Sequence, residues 1–290
     1  MTDLLLGTAQ FGAGYGVTNT VGRVSDKEVE ELVDLCLLNN ATVFDTSPNY
    51  GDAQARLGRL TSSREKSCQF VSKFSLPEFG SPTRDSVLSG TLKDLNVSTL
   101  AGLLFHRVED LRDPRANDAW RILKEAQSEG IIAKIGVSVY DSTDLELAFE
   151  LFPELDLVQI PANLIDHRIL GHRALSEFHS GGGTVHARSA YLQGLLLADP
   201  AAIPDHLSDL KPVISELRRH SAHMRRSLPS ILLGYLKHHP LVDGVVVGVL
   251  SVAELRETFE AWDSATPVSL ELAVPPEDLL DPRKWSKQER

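Results

Sequence analysis

TVFDTSPNYGDAQARLG, residues 42–58, reads as a short apolar run that stops at an aspartate and gives way to a polar, glycine-containing loop. A run that is apolar on both faces suits a parallel strand covered by helices on one side and a packed interior on the other. The pattern recurs outward from this stretch. LLLGT (4–8) precedes it, and QFVSKF (69–74), LAGLLFH (100–106) and AKIGVSV (133–139) follow. LVQIPAN (157–163), GTVHARS (183–189) and DGVVVGV (243–249) bring the number of such runs to eight.

Between the runs lie stretches with apolar residues at helical spacing: 26–40, 83–96, 116–130, 142–152, 210–224 and 251–262. Ser25, Thr83, Asn117, Ser142 and Ser251 stand where helix N-caps belong, and Asn39–Asn40 reads as a stop. With no linker-like or low-complexity stretch, the alternation predicts an α/β fold, a single eightfold (β/α) TIM barrel. The alternative is a doubly wound open sheet. The whole of 1–290 is expected to form one domain, with the barrel over about 1–265 and an irregular tail over about 266–290 that folds back over the mouth. Residues 191–206 read as a long loop after the seventh strand, and the last residues of the tail as disordered.

Composition narrows the function. A net charge of −11 argues against a nucleic-acid or anionic-membrane footprint. No apolar run reaches membrane-spanning length, and the start has no basic signal region, so a cytoplasmic location is expected. Cys36 and Cys68 are too few for a disulfide framework and read as buried free thiols.

In a barrel, side chains at the carboxyl ends of the strands converge on one mouth. Asp45, Lys73 and His106 fall at such ends, with Tyr50 just beyond the second strand. Singly, each has a structural reading: a turn residue, a strand exit, a core histidine, a packed loop aromatic. Together they form a carbonyl-reducing set. A phenol with an ordinary pKa of about 10 is a poor acid unless a cation favours its ionised form. Lys73 supplies that cation, Asp45 holds the charge on Lys73, and His106 donates a hydrogen bond to a substrate oxygen that Tyr50 protonates.

The chain also resembles the aldo-keto reductases. GTAQFG (7–12), FDTSPNYGDAQARLG (44–58), SK (72–73), LLFHR (103–107), IGVS (135–138), VQIPANLID (158–166), RSAYLQGLLL (188–197) and VVVGVLSVAELRET (245–258) occur in the family's order. The resemblance implies a barrel that binds NAD(P)H extended across its mouth and acts on a small aldehyde, ketone or sugar. It implies Tyr50 as proton donor, Lys73 and Asp45 as the pair that sets its pKa, and His106 as the residue that orients the carbonyl. Ser138 and Gln159 match positions that bind the nicotinamide carboxamide, and Arg188 stands where an aromatic residue often stacks on the ring. Ser189, Tyr191 and Gly194 match the pyrophosphate clasp. Gly248, Ser251, Glu254, Glu257 and Thr258 match the adenosine end, and Thr8 belongs to the same cofactor set. The RSxxLQGLLL segment is similar to a subgroup with sugar-oxidising and small-aldehyde members.

There are three departures from the family pattern. Val139 replaces an Asn, and Gln54 or Ala53 stands in place of a Glu. Gly248 and Glu254 occupy positions where NADP-preferring members carry a Lys and an Arg. An acidic side chain near the ribose suits a free 2′-hydroxyl better than a phosphate, so the expected lean is to NADH. Arg107, Arg188 and His167 are candidates for an anionic substrate, with surface ion pairing as the structural reading. The alternative function is a nucleotide-binding regulatory or interaction subunit of the same fold with little turnover. No metal is expected, because none of the histidines forms a metal-site motif with an acidic partner. The oligomeric state and direction of reaction are not written in the sequence.

Overall fold

Residues 2–285 are described by the computed structural model; the final residues of the tail expected to be disordered lie outside them. Eight parallel strands close into a barrel in chain order: β1 (Asp3–Gly7), β2 (Val43–Asp45), β3 (Gln69–Phe74), β4 (Gly102–Phe105), β5 (Ile135–Ser138), β6 (Leu157–Pro161), β7 (Thr184–Arg188) and β8 (Gly244–Gly248). Seven of the eight expected runs contain their strand, trimmed by at most two residues at an end, and β1 is shifted by one residue, starting at Asp3 ahead of the run at 4–8. Closure is made by β1 on β8, from Asp3 opposite Gly244 to Gly7 opposite Gly248. The open-sheet alternative is thereby overturned.

The strands are buried on both faces because helices cover the outside and side chains fill the inside. Val71, Leu104 and Leu157 form a separate interior cluster, while the larger apolar core lies between strands and helices. Ser25 and Ser251 cap helices Asp26–Leu38 and Val252–Asp263 through their hydroxyls, as expected. Thr83 caps a first turn that is wound as a π-helix, Asp85–Ser89, before α-helix Gly90–Leu95. Two expected caps are wrong by position. Asp141 rather than Ser142 accepts the Asp144 N–H, and helix Ala116–Ser128 starts one residue ahead of Asn117.

Helices Arg173–Ser180 and Leu228–Lys237 escaped the periodicity reading for opposite reasons. The first buries only Leu175, and the second buries nearly every residue. The first does present an apolar face, Ala174, Leu175 and Phe178, but at eight residues it is too short for the spacing to stand out, and the second is apolar nearly all round.

The segment after β7 is a connection of short 3₁₀ turns, but it carries its own core. Leu195, Leu196, Leu207 and Leu210 pack with Ile214, Ile231 and Leu232, and Leu280 of the tail joins them. The tail itself has no regular element over 266–276. It then forms a short helix, Glu277–Leu280, and a 3₁₀ turn, Pro282–Lys284, that reaches the loops at the barrel mouth. Cys36 and Cys68 are buried and unpaired, with burial pushing their thiols up to about 12 and about 11. Among the described residues no helix is long and apolar enough to cross a membrane.

Helix Ala53–Thr61, which follows Tyr50, is fixed by close backbone packing at Gly58. A Cβ there would lie 2.1 Å from the Asp94 carbonyl oxygen and 2.5 Å from Leu95 Cα. Backbone on the far side cannot rotate away as a side chain can. Gly58→Ala is therefore expected to lower stability by about 1–3 kcal/mol, read from the midpoint of denaturant unfolding.

Candidate active site

Asp45 ends β2 and gathers partners from β3, from β6 and from Thr8 just past β1. Its carboxylate accepts from Lys73 Nζ of β3 at 2.7 Å and from Gln159 Nε2 of β6 at 2.8 Å. Its carbonyl accepts from the backbone N–H and the hydroxyl of Thr8, both at 3.0 Å. Lys73 is fully buried and donates also to the Thr46 carbonyl at 3.2 Å. Burial works against this ammonium, but Asp45 and Tyr50 outweigh it and hold the pKa above the usual lysine value. The expectation that Asp45 keeps the charge in place is met in direction.

Tyr50 lies between this pair and His106. Lys73 Nζ is 5.2 Å from the centre of its ring, and the His106 ring meets it edge-on with centroids 5.7 Å apart. Two glycines set the loop: a Cβ on Gly12 would overlap the Tyr50 carbonyl, and Gly51, at φ 59°, presses on the Gly12 carbonyl. The electrostatic outcome differs from the sequence expectation. Burial is the largest influence on Tyr50 and raises its pKa; Lys73 pulls the other way without cancelling it. Tyr50 is thus a neutral phenol at physiological pH.

His106 is pushed down to about 4, first by burial and then by Lys73. It is a neutral imidazole, and its tautomer follows from two neighbours that sequence reasoning missed. Asn49 Nδ2 lies 3.1 Å and Ser47 Oγ 2.9 Å from Nδ1. An amide NH₂ only donates, so Nδ1 is the acceptor and Nε2 carries the proton. Ser47 Oγ in turn accepts from the Asn49 N–H at 3.1 Å. Both residues sit inside the DTSPNY stretch, where a hydroxyl and an amide flanking Pro48 were the available signal.

A groove of about 410 Å³ runs from this cluster across the mouth. Thr8, Asp45, Tyr50, Gln159 and Arg188 line one end, followed by Ser189, Tyr191 and Gly194. Gly248, Glu254, Glu257 and Thr258 line the other. Lys73, His106, Ser138 and Ser251 are not on its wall: Lys73 and Ser138 are buried, and the Ser251 hydroxyl is engaged as an N-cap. Glu254 reaches back over the helix start in the manner of a capping box, its carboxylate accepting the N–H of Leu250, the residue before the Ser251 cap, at 2.8 Å, which accounts for an acid there on structural grounds alone. The wall after β7 is wound tightly, with Ser189, Leu192, Gln193 and Gly194 all at positive φ. Asn163 braces it, donating to the Ser189 carbonyl at 3.1 Å.

The other sequence candidates resolve as follows. Arg107 is an exposed residue paired with Asp110 at 3.0 Å, as its structural reading had it, and His167 is exposed. Arg188 forms no ion pair among the described residues, contrary to that reading; its Nη2 donates to the Val139 carbonyl at 2.9 Å. The Val139 side chain is buried in the core. Gln54 is buried between Ser72 and Asp94, so its departure from the family Glu is met by local hydrogen bonds. Among the described residues no group of three or more His, Cys, Asp or Glu is placed to hold a metal.

Residues 3–269 match the aldo/keto reductase family. The chain belongs to that family. This aldo-keto reductase is 26% identical over 188 residues to an aldo-keto reductase of Mycolicibacterium smegmatis, a match covering 62% of the chain and 64% of that relative. Its fold is similar to that of an aldo-keto reductase from Bacillus halodurans solved in its holo form, with TM-score 0.74 and 18% identity over 92% of this chain and 88% of that one. A thermostable aldo-keto reductase solved with the inhibitor epalrestat matches with TM-score 0.66 and 22% identity over 93% and 92%. The family is one of oxidoreductases. Among the described residues Gln10 Oε1, on a groove residue, is buried without a hydrogen-bond partner. The wall itself carries hydroxyl, amide, guanidinium and carboxylate groups from Thr8, Gln159, Arg188, Ser189, Glu254 and Glu257, a donor and acceptor set that suits a polar ligand.

Asn49 offers a direct check on the tautomer. A carboxylate there would favour a proton on Nδ1, so Asn49→Asp is expected to raise the His106 pKa from about 4 and to move the proton off Nε2. The ¹⁵N shifts of the imidazole against pH read both changes.

Proposed function

We propose that this aldo-keto reductase transfers a hydride between a nicotinamide cofactor, NAD(P)(H), and a small aldehyde, ketone or sugar. Tyr50 acts as general acid in reduction and general base in the reverse direction. The observation that carries this reading is the placement of Tyr50 between a buried Lys73–Asp45 pair and a neutral His106, at one end of a long groove.

The cofactor supplies the hydride; the protein supplies position and protons. His106, neutral with its proton on Nε2, donates a hydrogen bond to the carbonyl oxygen and polarises it. Tyr50 holds its proton at rest because burial raises its pKa, and the Lys73 ammonium eases its loss once negative charge grows on the substrate oxygen. Asp45 keeps Lys73 charged and, through Gln159, fixes the side chain that with Ser138 would meet the carboxamide. Arg188 would lie against the nicotinamide ring. Ser189, Tyr191 and Gly194 would clasp the pyrophosphate, and Gly248, Glu254, Glu257 and Thr258 would receive the adenosine end, with Ser251 serving the helix as its N-cap. Thr8 fixes the floor beneath them by binding the Asp45 carbonyl.

At the adenosine end a ribose 2′-phosphate would meet Glu254 and Glu257, two carboxylates on the groove wall. Like-charge repulsion favours NADH over NADPH there.

Two measurements test the reading. Tyr50→Phe is expected to cut oxidation of reduced cofactor with a panel of short aldehydes and sugars by about a hundredfold or more, leaving cofactor binding in place. Fluorescence titration with NADH and NADPH separately should favour NADH; a tenfold preference for NADPH would refute the charge argument. Tight binding without turnover on any substrate would identify a cofactor-sensing subunit instead.

A further inference from the structure

Tyr140, beyond the end of β5, carries two guanidinium groups on its ring. Arg188 Cζ lies 4.1 Å and Arg283 Cζ 3.9 Å from the ring centre. Their charges are balanced very differently. Arg283, on the tail, pairs with Asp281 at 2.8 Å and lies 3.7 Å from Asp141, 3.8 Å from Glu109 and 4.0 Å from Asp144. Arg188 faces the groove half-buried, and among the described residues its polar contacts are the Val139 carbonyl and the Ser189 hydroxyl.

The carboxylates gather on the Arg283 side of the Tyr140 ring, and among the groups that line this end of the groove the charge left is positive. Asp45 and Lys73 cancel, and His106 and Tyr50 are neutral at physiological pH. Arg188 is close enough that its field lowers the proton affinity of Tyr50, His106 and Tyr15. Its guanidinium is pinned on three sides by Tyr140, Val139 and Ser189, so it cannot turn away when a ligand enters.

We propose that Arg188 makes the groove select the reduced nicotinamide cofactor over the oxidised one. The inference rests on the reading that places the nicotinamide ring at the Arg188 end. The two forms differ by one hydride: loss of a proton and two electrons leaves a ring with a full positive charge. The uncharged dihydropyridine ring is electron-rich and stacks well on a guanidinium plane. The cationic ring meets an uncompensated like charge in a half-buried site, where screening is weak. A tenfold difference in affinity corresponds to a rise of about 30 mV in the potential of the bound two-electron couple. The protein thus loads with reduced cofactor in the presence of excess oxidised cofactor and releases the oxidised product readily.

The test is a set of dissociation constants, by calorimetry, for the reduced and oxidised forms of whichever nucleotide pair binds more tightly. ADP-ribose, which lacks the ring, serves as a third probe. The wild-type protein is expected to bind the reduced form at least tenfold more tightly. Arg188→Gln should bring the two forms within threefold, mostly by tightening the oxidised one, whereas Arg188→Lys, which keeps the charge, should retain the preference. Arg188→Met replaces Arg188→Gln if the latter does not fold. Equal affinities in the wild-type protein, or an unchanged ratio in the neutral variants, overturn the proposal while leaving the cofactor reading intact. Failure of the wild-type protein to bind any of the three probes removes both.

Discussion

The Asp45 carboxyl group is the knot on which the mouth of the barrel depends. One carboxylate oxygen holds Lys73, the other holds Gln159, and the carbonyl of the same residue holds Thr8. Through one side chain and one peptide group, the ends of the neighbouring strands β1, β2 and β3 are tied together, and the bond to Gln159 carries the link across the barrel to β6. Buried charges are tolerated only when paired and fully hydrogen-bonded, and losing one partner of such a pair costs about 3–5 kcal/mol. The pair therefore fixes distances among strand ends that the sheet alone would leave loose. Tyr50 is placed relative to this fixed cluster, and the Gly12–Gly51 backbone contact sets its loop.

Burial then decides the protonation states. It is the largest influence on Tyr50, Lys73 and His106 alike, and in each case it opposes charge. Only Lys73, with a carboxylate in contact, stays ionised. The result at neutral pH is one compensated ion pair among neutral donors, a state suited to meeting charge that develops during a reaction rather than charge already present.

Much of this was legible in the sequence, and the exceptions have physical causes. The eight strands could be read because a strand buried on both faces must be apolar throughout, and the tetrad because Asp45, Lys73 and His106 stand at or next to the ends of such runs and Tyr50 follows one closely. Helix Leu228–Lys237 was hidden because burial on nearly every side erases periodicity. Asn49 and Ser47 were hidden because polar residues around a proline look like any loop until His106 is brought beside them from another strand. Glu254 shows the converse: a residue singled out for cofactor choice also serves as a helix cap, a local role that the Ser251–Glu254 spacing already carried. The direction of the Tyr50 shift was missed because a sequence names the neighbouring cation but not the depth at which the phenol lies.

The tightly wound wall after β7 bears on how such a barrel can diverge. Ser189, Leu192, Gln193 and Gly194 all hold backbone angles that most residues resist, and a side chain at Gly194 would run into Thr18. Random substitution there is filtered by conformation before any ligand is consulted. Among the described residues, the turn at Val108–Arg112 and the tail over 264–285 hold no comparable positive-φ positions. Descendants of this chain would accordingly acquire new substrates by rewriting those two borders, while the 189–194 wall passed from one to the next almost unaltered.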